Sequence, residues 1–185
     1  MPAYLTPEQY LELERHAEVK SEYYQGEMFA MSGAQVPHNQ IVANVMRELG
    51  NELRDGPCEP FSNDMRVCVA AEGLYTYPDV IVVCEPRLLD SHLDTLLNPK
   101  VIVEVLSAST EAYDRGRKFE MYRSLESLAE YVLISSLRVS VERYTRLPDG
   151  TWNYWATSRL EDTMELLSVG CRLSVASLYE RVAFA

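Results

Sequence analysis

The chain has 185 residues, 47% of them hydrophobic, enough to bury one core but short for two, so a single domain over residues 1–185 is expected. A formal net charge of -11 excludes nucleic-acid binding by bulk electrostatics, because neutralising phosphates takes Lys and Arg. No repeat or low-complexity stretch stands out, no basic-then-apolar leader opens the chain, and no aliphatic run could span a bilayer, so a soluble, cytoplasmic protein is expected.

In chain order, "TPEQYLELERHAE" predicts a helix with Thr6 as cap, Pro7 in the first turn and Gln9 completing a capping box. "KSEYYQGEMFAMSG" predicts a hairpin turning at Gln25-Gly26. From Val36 to Leu53, Ile41, Val42, Val45, Met46, Leu49 and Leu53 form one stripe of an amphipathic helix. Strands follow near Cys58 to Phe61, Met65 to Val69, Val80 to Cys84 and Val101 to Val105, the last two solidly aliphatic and therefore central. A helix over Tyr113 to Ser124, strands in "EYVLIS" and "VSVERYT", a hairpin at "PDGTWNYW", a strand near Glu165 and a terminal helix from Ser177 complete the chain. One crossover helix between aliphatic strands indicates an α/β (α+β) architecture, a mixed central sheet flanked by helices, with extra hairpins at both ends. Cys58, Cys68, Cys84 and Cys171 have no C-x-x-C spacing and read as reduced core residues.

Glu104 is the anomaly in this pattern. It stands among Val101, Ile102, Val103, Val105 and Leu106, where desolvating a carboxylate costs several kcal/mol or more. It therefore lies at a frayed strand end or serves chemistry. Asp79, at the start of the other aliphatic strand, precedes it by 25 residues, and on neighbouring strands the two carboxylates could converge on a hard cation such as Mg2+. In "DRGRKFEMY", Asp114 and Lys118 share a helix face, and a lysine aimed at two carboxylates can orient a water or stabilise developing charge. The plain alternatives are a turn aspartate at Pro78-Asp79 and a solvated Asp114–Lys118 pair. Arg115, Arg117, Lys118 and Arg123 would form a local basic strip.

Pro-Asp, a strand with an acidic residue and then a lysine resembles the PD-(D/E)XK nuclease superfamily. "EYYQGEMFAMSGAQVPHNQI", "SNDMRV", "YPDVIVVC", "NPKVIVEVLSASTEAYDRGRKFEMYRSLESLAEYVLI" and "DGTW", in that order, are similar to the Uma-two family of restriction-endonuclease-like proteins. The resemblance implies a restriction-endonuclease-like core and Mg2+- or Mn2+-dependent hydrolysis of DNA that leaves a 5′-phosphate. Asp79, Glu104 and the Val105 carbonyl would bind the metal. The superfamily lysine stands two residues after the acid, where this chain has Leu106; Lys118 is the residue that could replace it.

His38 and Asp64 are supporting candidates, against ordinary roles as a helix-start group and a turn cap. Glu22 and Glu27 read as a solvated hairpin face, and most of the tyrosines as sheet and core residues rather than base-stacking groups. A homodimer is expected by analogy with nucleases that cut two strands, its interface supplied by the terminal hairpins. The competing functions are a catalytically weak nuclease-fold module for nucleic-acid binding or dimerisation, and a nuclease acting on RNA or small nucleotides.

Overall fold

The computed structural model describes residues 4–184. Helix α1 (Pro7–Arg15) begins with the expected capping box, the Thr6 hydroxyl accepting from the Gln9 N–H while the Gln9 side chain accepts from the Thr6 N–H. Strands β1 (Ser21–Tyr24) and β2 (Glu27–Ala30) are joined through Gln25 and Gly26, both at positive φ, 45° and 100°. This is the hairpin geometry whose twist matches the flanking strands. A Cβ on Gly26 would lie 2.6 Å from the Tyr4 ring, so only glycine fits.

Helix α2 (Val36–Glu52) buries Ile41, Val45 and Leu49 along the expected stripe. Strands β3 (Cys58–Ser62), β4 (Arg66–Val69), β5 (Leu74–Thr76), β6 (Val80–Cys84), β7 (Thr95–Leu96) and β8 (Val101–Leu106) follow. A helical segment then leads to β9 (Glu130–Ser135), β10 (Val141–Arg146), β11 (Trp152–Thr157), β12 (Thr163–Leu166) and β13 (Cys171–Ser174). Six strands form a mixed sheet in the order β11-β10-β9-β8-β6-β3, with β8 and β9 parallel and the other pairs antiparallel. A second sheet, β2-β1-β5-β4-β7, packs on it, and β12-β13 form a small ribbon. Alternation along β8 sends Val101, Val103 and Val105 into the core beneath α2, and Ile102 and Leu106 into the core shared with the second sheet. Glu104 has the parity of that second face.

The α/β class, the mixed central sheet and the terminal hairpins are as expected, with four local corrections. β5, β7 and β13 are too short for their alternation to stand out in the sequence. The expected terminal helix from Ser177 is a single turn, α5 (Val175–Leu178), and Arg181 just beyond it adopts φ 60°, which no right-handed helix continues. The crossover helix runs from Glu111 to Tyr122, with α3 (Glu111–Tyr113) and α4 (Phe119–Tyr122) separated by a π-helical turn over Asp114–Lys118. Finally, Cys58 and Cys84 are disulfide-bonded rather than reduced, because β3 and β6 pair in a register that sets them directly opposite with Cα atoms 4.0 Å apart. Cys68 and Cys171 are free and buried. Among the described residues no helix is long and apolar enough to cross a membrane.

Candidate active site

The antiparallel register of β6 and β8 sets Val80 against Val103, which brings Asp79, one residue before β6, level with Glu104. The Asp79 N–H donates to Glu104 Oε2 at 3.4 Å. Asp79 Oδ2 accepts the Val105 N–H at 2.7 Å and lies 3.1 Å from His38 Nε2, which reaches it from the first turn of α2. A carboxylate only accepts, so His38 carries its proton on Nε2, and its buried Nδ1 has no hydrogen-bond partner among the described residues.

Glu104 is 3% exposed. Its Oε1 accepts from Lys118 Nζ at 3.0 Å and from the Tyr122 hydroxyl at 2.9 Å. Asp114 and Lys118, four residues apart within the π turn, both lie on the buried side of the segment. Lys118 Nζ also lies 3.6 Å from Asp114 Oδ1 and 3.2 Å from Glu22 Oε1. Glu22 comes from β1 of the second sheet, where Thr76 on β5 donates its hydroxyl to the same oxygen.

These groups form the inner wall of a cleft of about 820 Å³, within the range of ligand sites. Its mouth is formed by the segment from Phe29 to Gln35, the Ser107–Thr110 loop, Tyr113 and Leu137. Phe29 and Tyr113 are exposed aromatics there. Glu18, Glu22, Asp79, Glu104 and Asp114 line it against the ammonium groups of Lys20 and Lys118 alone. Burial pushes the Glu104 carboxyl up to about 8, with Lys118 opposing and Asp114 and Asp79 adding to the rise. Asp114 is raised for the same reason, again opposed by Lys118. Burial alone would lower the Lys118 ammonium, but Glu104, Glu22 and Asp114 hold it well above its usual value, so it stays charged.

Asp79, Glu104, Lys118, Asp114 and His38 are thus brought together, and Val105 joins them through Asp79. Asp64 is not: it is exposed and paired with Lys20 at 2.9 Å, while its neighbour Asn63 lines the cleft. The solvated Asp114–Lys118 pair is corrected, since both side chains are buried. Glu22, read as a solvated hairpin residue, is 14% exposed and faces Lys118; nothing in its own segment signals this, because the partner lies 96 residues away in another sheet layer. Glu27 is exposed as expected. The basic strip does not form: Lys118 points inward and Arg115 is neutralised by Glu111 at 2.8 Å and Glu142 at 2.6 Å.

The donor set suits a hard divalent cation. Mg2+ is commonly held by one or two carboxylates with water completing the shell, and two carboxylates line the cleft here. Among the described residues no three His, Cys, Asp or Glu side chains group closely enough to hold a metal alone, which is the arrangement a structural zinc site would need. The Val105 C=O leaves the strand on the same edge as its N–H, toward Asp79, and could add a third oxygen.

Comparison with known proteins agrees with this architecture. An uncharacterized protein of Synechocystis sp., slr1290, is 39% identical over 183 residues, covering 97% of this chain and 94% of the relative. A second from that organism, sll1609, is 40% identical over 149 residues, 80% of this chain and 84% of its own length. The crystal structure of a protein described as "a putative nuclease belonging to DUF820", from Anabaena variabilis, superposes with a TM-score of 0.78 at 16% identity over 97% of this chain and 99% of that one, a likeness of fold. The family model that matches residues 7–176 is Uma2, described as "Putative restriction endonuclease", and the chain belongs to that family.

Proposed function

We propose that the chain is a Mg2+- or Mn2+-dependent endonuclease that hydrolyses DNA phosphodiester bonds. The observation that carries this reading is the meeting, at the foot of one cleft, of Asp79, Glu104 and a lysine whose Nζ lies 3.0 Å from Glu104 Oε1. Lys118 arrives from the crossover helix and does in space what a residue at Leu106 would have done in sequence. A cleft with five carboxylates repels a phosphodiester unless a cation inverts its sign, which supports the metal requirement.

In the mechanism, Asp79, Glu104 and the Val105 carbonyl would hold the cation. When bound there it supplies positive charge to the developing phosphorane and acidifies water in the cleft. His38 fixes the Asp79 carboxylate through Nε2–H. Lys118, charged and buried, orients the attacking water and stabilises charge on the phosphoryl oxygens. A P–O bond forms from that water, which gives up a proton to solvent, as the bond to the 3′-oxygen breaks and that oxygen takes up a proton from solvent, leaving a 5′-phosphate and a 3′-hydroxyl. A homodimer would place two such sites on the two strands of a duplex.

The test is nicking of supercoiled plasmid with Mg2+ or Mn2+ by the wild type, Asp79→Asn and Glu104→Gln. The wild type should nick only with metal and both variants should lose the activity; an undiminished rate in either variant refutes the assignment. A second reading, a catalytically weak nuclease-fold module, is favoured by one observation: Glu104's oxygens are already satisfied by Lys118, Tyr122 and the Asp79 N–H. It predicts nucleic-acid binding without cleavage in any metal.

A further inference from the structure

The Lys118 ammonium has three N–H donors and three carboxylates around it, Glu104 at 3.0 Å, Glu22 at 3.2 Å and Asp114 at 3.6 Å. Two of these belong to the layer that carries the lysine: Glu104 is on the strand beneath it and Asp114 on its own helix. Glu22 alone comes from the opposite sheet, through the N-terminal hairpin. Its oxygen is anchored independently, because the Thr76 hydroxyl, fully buried, donates to the same Oε1. Cation–π contact with Tyr113, 5.9 Å from Nζ to the ring, closes the remaining side.

We infer that Glu22 is a positioning residue that holds Lys118 away from Glu104 when Glu104 gives its oxygens to a divalent cation. The inference rests on the metal-dependent reading proposed above. An ammonium with only Glu104 and Asp114 to face would close onto Glu104 and occupy the seat the cation needs. With Glu22 fixed by Thr76 on the far side, the lysine keeps two partners when Glu104 turns to the cation, and stays at the reaction centre. The N-terminal hairpin is therefore part of the site rather than an appendage to the core.

The test uses Glu22→Gln, which keeps an acceptor for Thr76 but removes the charge, and Thr76→Val, which releases the anchor and leaves the charge. Three measurements are made on each: the Lys118 ammonium signal in ¹H–¹⁵N spectra, identified by its loss in Lys118→Arg; the affinity for Mn2+ alone by titration calorimetry; and kcat and KM for plasmid nicking. In the wild type the buried ammonium, ion-paired with three carboxylates, should give a resolved signal. In Glu22→Gln that signal should shift or broaden, Mn2+ affinity should fall about tenfold, and kcat should fall more than tenfold with KM for DNA unchanged; Thr76→Val should move all three in the same direction by less. An unchanged Lys118 signal with Mn2+ affinity within twofold of wild type in Glu22→Gln overturns the role. The spectra and the cation titration need no cleavage, so a wild type that binds Mn2+ but cuts nothing refutes the nuclease reading while leaving the Glu22 clamp to its own result.

Discussion

Replacing Glu104 by Gln should make the protein more stable, and only where the carboxyl is charged. The native state holds this group protonated up to about 8, whereas in the unfolded chain it ionises near 4.5. Between those values the folded protein binds the proton that the unfolded chain has released, so stability falls as pH rises. Each pH unit of that interval is worth about 1.4 kcal/mol, giving a penalty of about 3 kcal/mol at pH 7 and about 5 kcal/mol by pH 9. Gln has nearly the shape of the protonated acid, can still accept from Tyr122 and never ionises. At pH 5 the two proteins should therefore unfold at nearly the same urea concentration. At pH 7 and without metal the variant should be ahead by about 3 kcal/mol, or roughly 6–12 °C in melting temperature for a chain of this size. The assay is urea and thermal unfolding of both proteins at pH 5, 7 and 9 in chelator. A variant that is equally destabilised at all three pH values would refute the reasoning, since it would mean that the Lys118–Glu104 attraction outweighs the burial that sets the sign.

Further expectations follow from the same network and from its surroundings. Lys118→Met should abolish metal-dependent nicking and destabilise the fold by about 3 kcal/mol or more at pH 8, because Glu104, Glu22 and Asp114 then face one another without a counter-charge; the loss should shrink at pH 5, and a pH-independent loss in urea unfolding would mean that packing alone is involved. Breaking the Cys58–Cys84 bond with reductant, or by Cys58→Ser with Cys84→Ser, should cost about 3 kcal/mol in the denaturation midpoint from the 26-residue loop it closes, with no loss of nicking, since the bond lies at the other end of β6 from Asp79. The Arg15 guanidinium holds Asp94 down at about 2, below its unfolded 3.8, so this pair's stabilisation is complete above pH 4 and disappears as pH falls toward 2; Asp94→Asn should flatten that acid limb in a pH series of urea midpoints, and an unaltered limb would exclude the pair as its source.

How far the site could be read from the sequence depended on which residues stand where an ordinary pattern forbids them. Glu104 could be singled out because a charge interrupts an aliphatic strand, and Asp79 because a Pro-Asp step opens the strand beside it. Both signals are local, and the strand register converts them into one site. Lys118 had a weaker signal, its four-residue spacing from Asp114, and that spacing equally describes a solvated pair. What decides its fate is the docking of their shared face against Glu104 of β8 and Glu22 of β1, which the segment's own spacing does not record.

Glu22 lay further out of reach. Its strand shows ordinary hairpin alternation, and its partners Lys118 and Thr76 are assembled only when the second sheet docks on the first. The Cys58–Cys84 bond was illegible for the same reason, since its register is set by β3 pairing with β6 across the chain. Net charge, likewise, is a sum over the whole chain that does not record where the charges meet. A chain at -11 looks hostile to a polyanion, yet its cleft concentrates carboxylates around one buried ammonium, an arrangement that a divalent cation would turn from repulsive to attractive. On the nuclease reading proposed above, the bulk charge would set how weakly DNA binds without metal, and the site would set whether it is cut with it. A fold that is less stable for carrying Glu104 ionised is the expected companion of such a site, which is why the pH dependence of stability and the metal dependence of nicking should trace back to the same carboxylate.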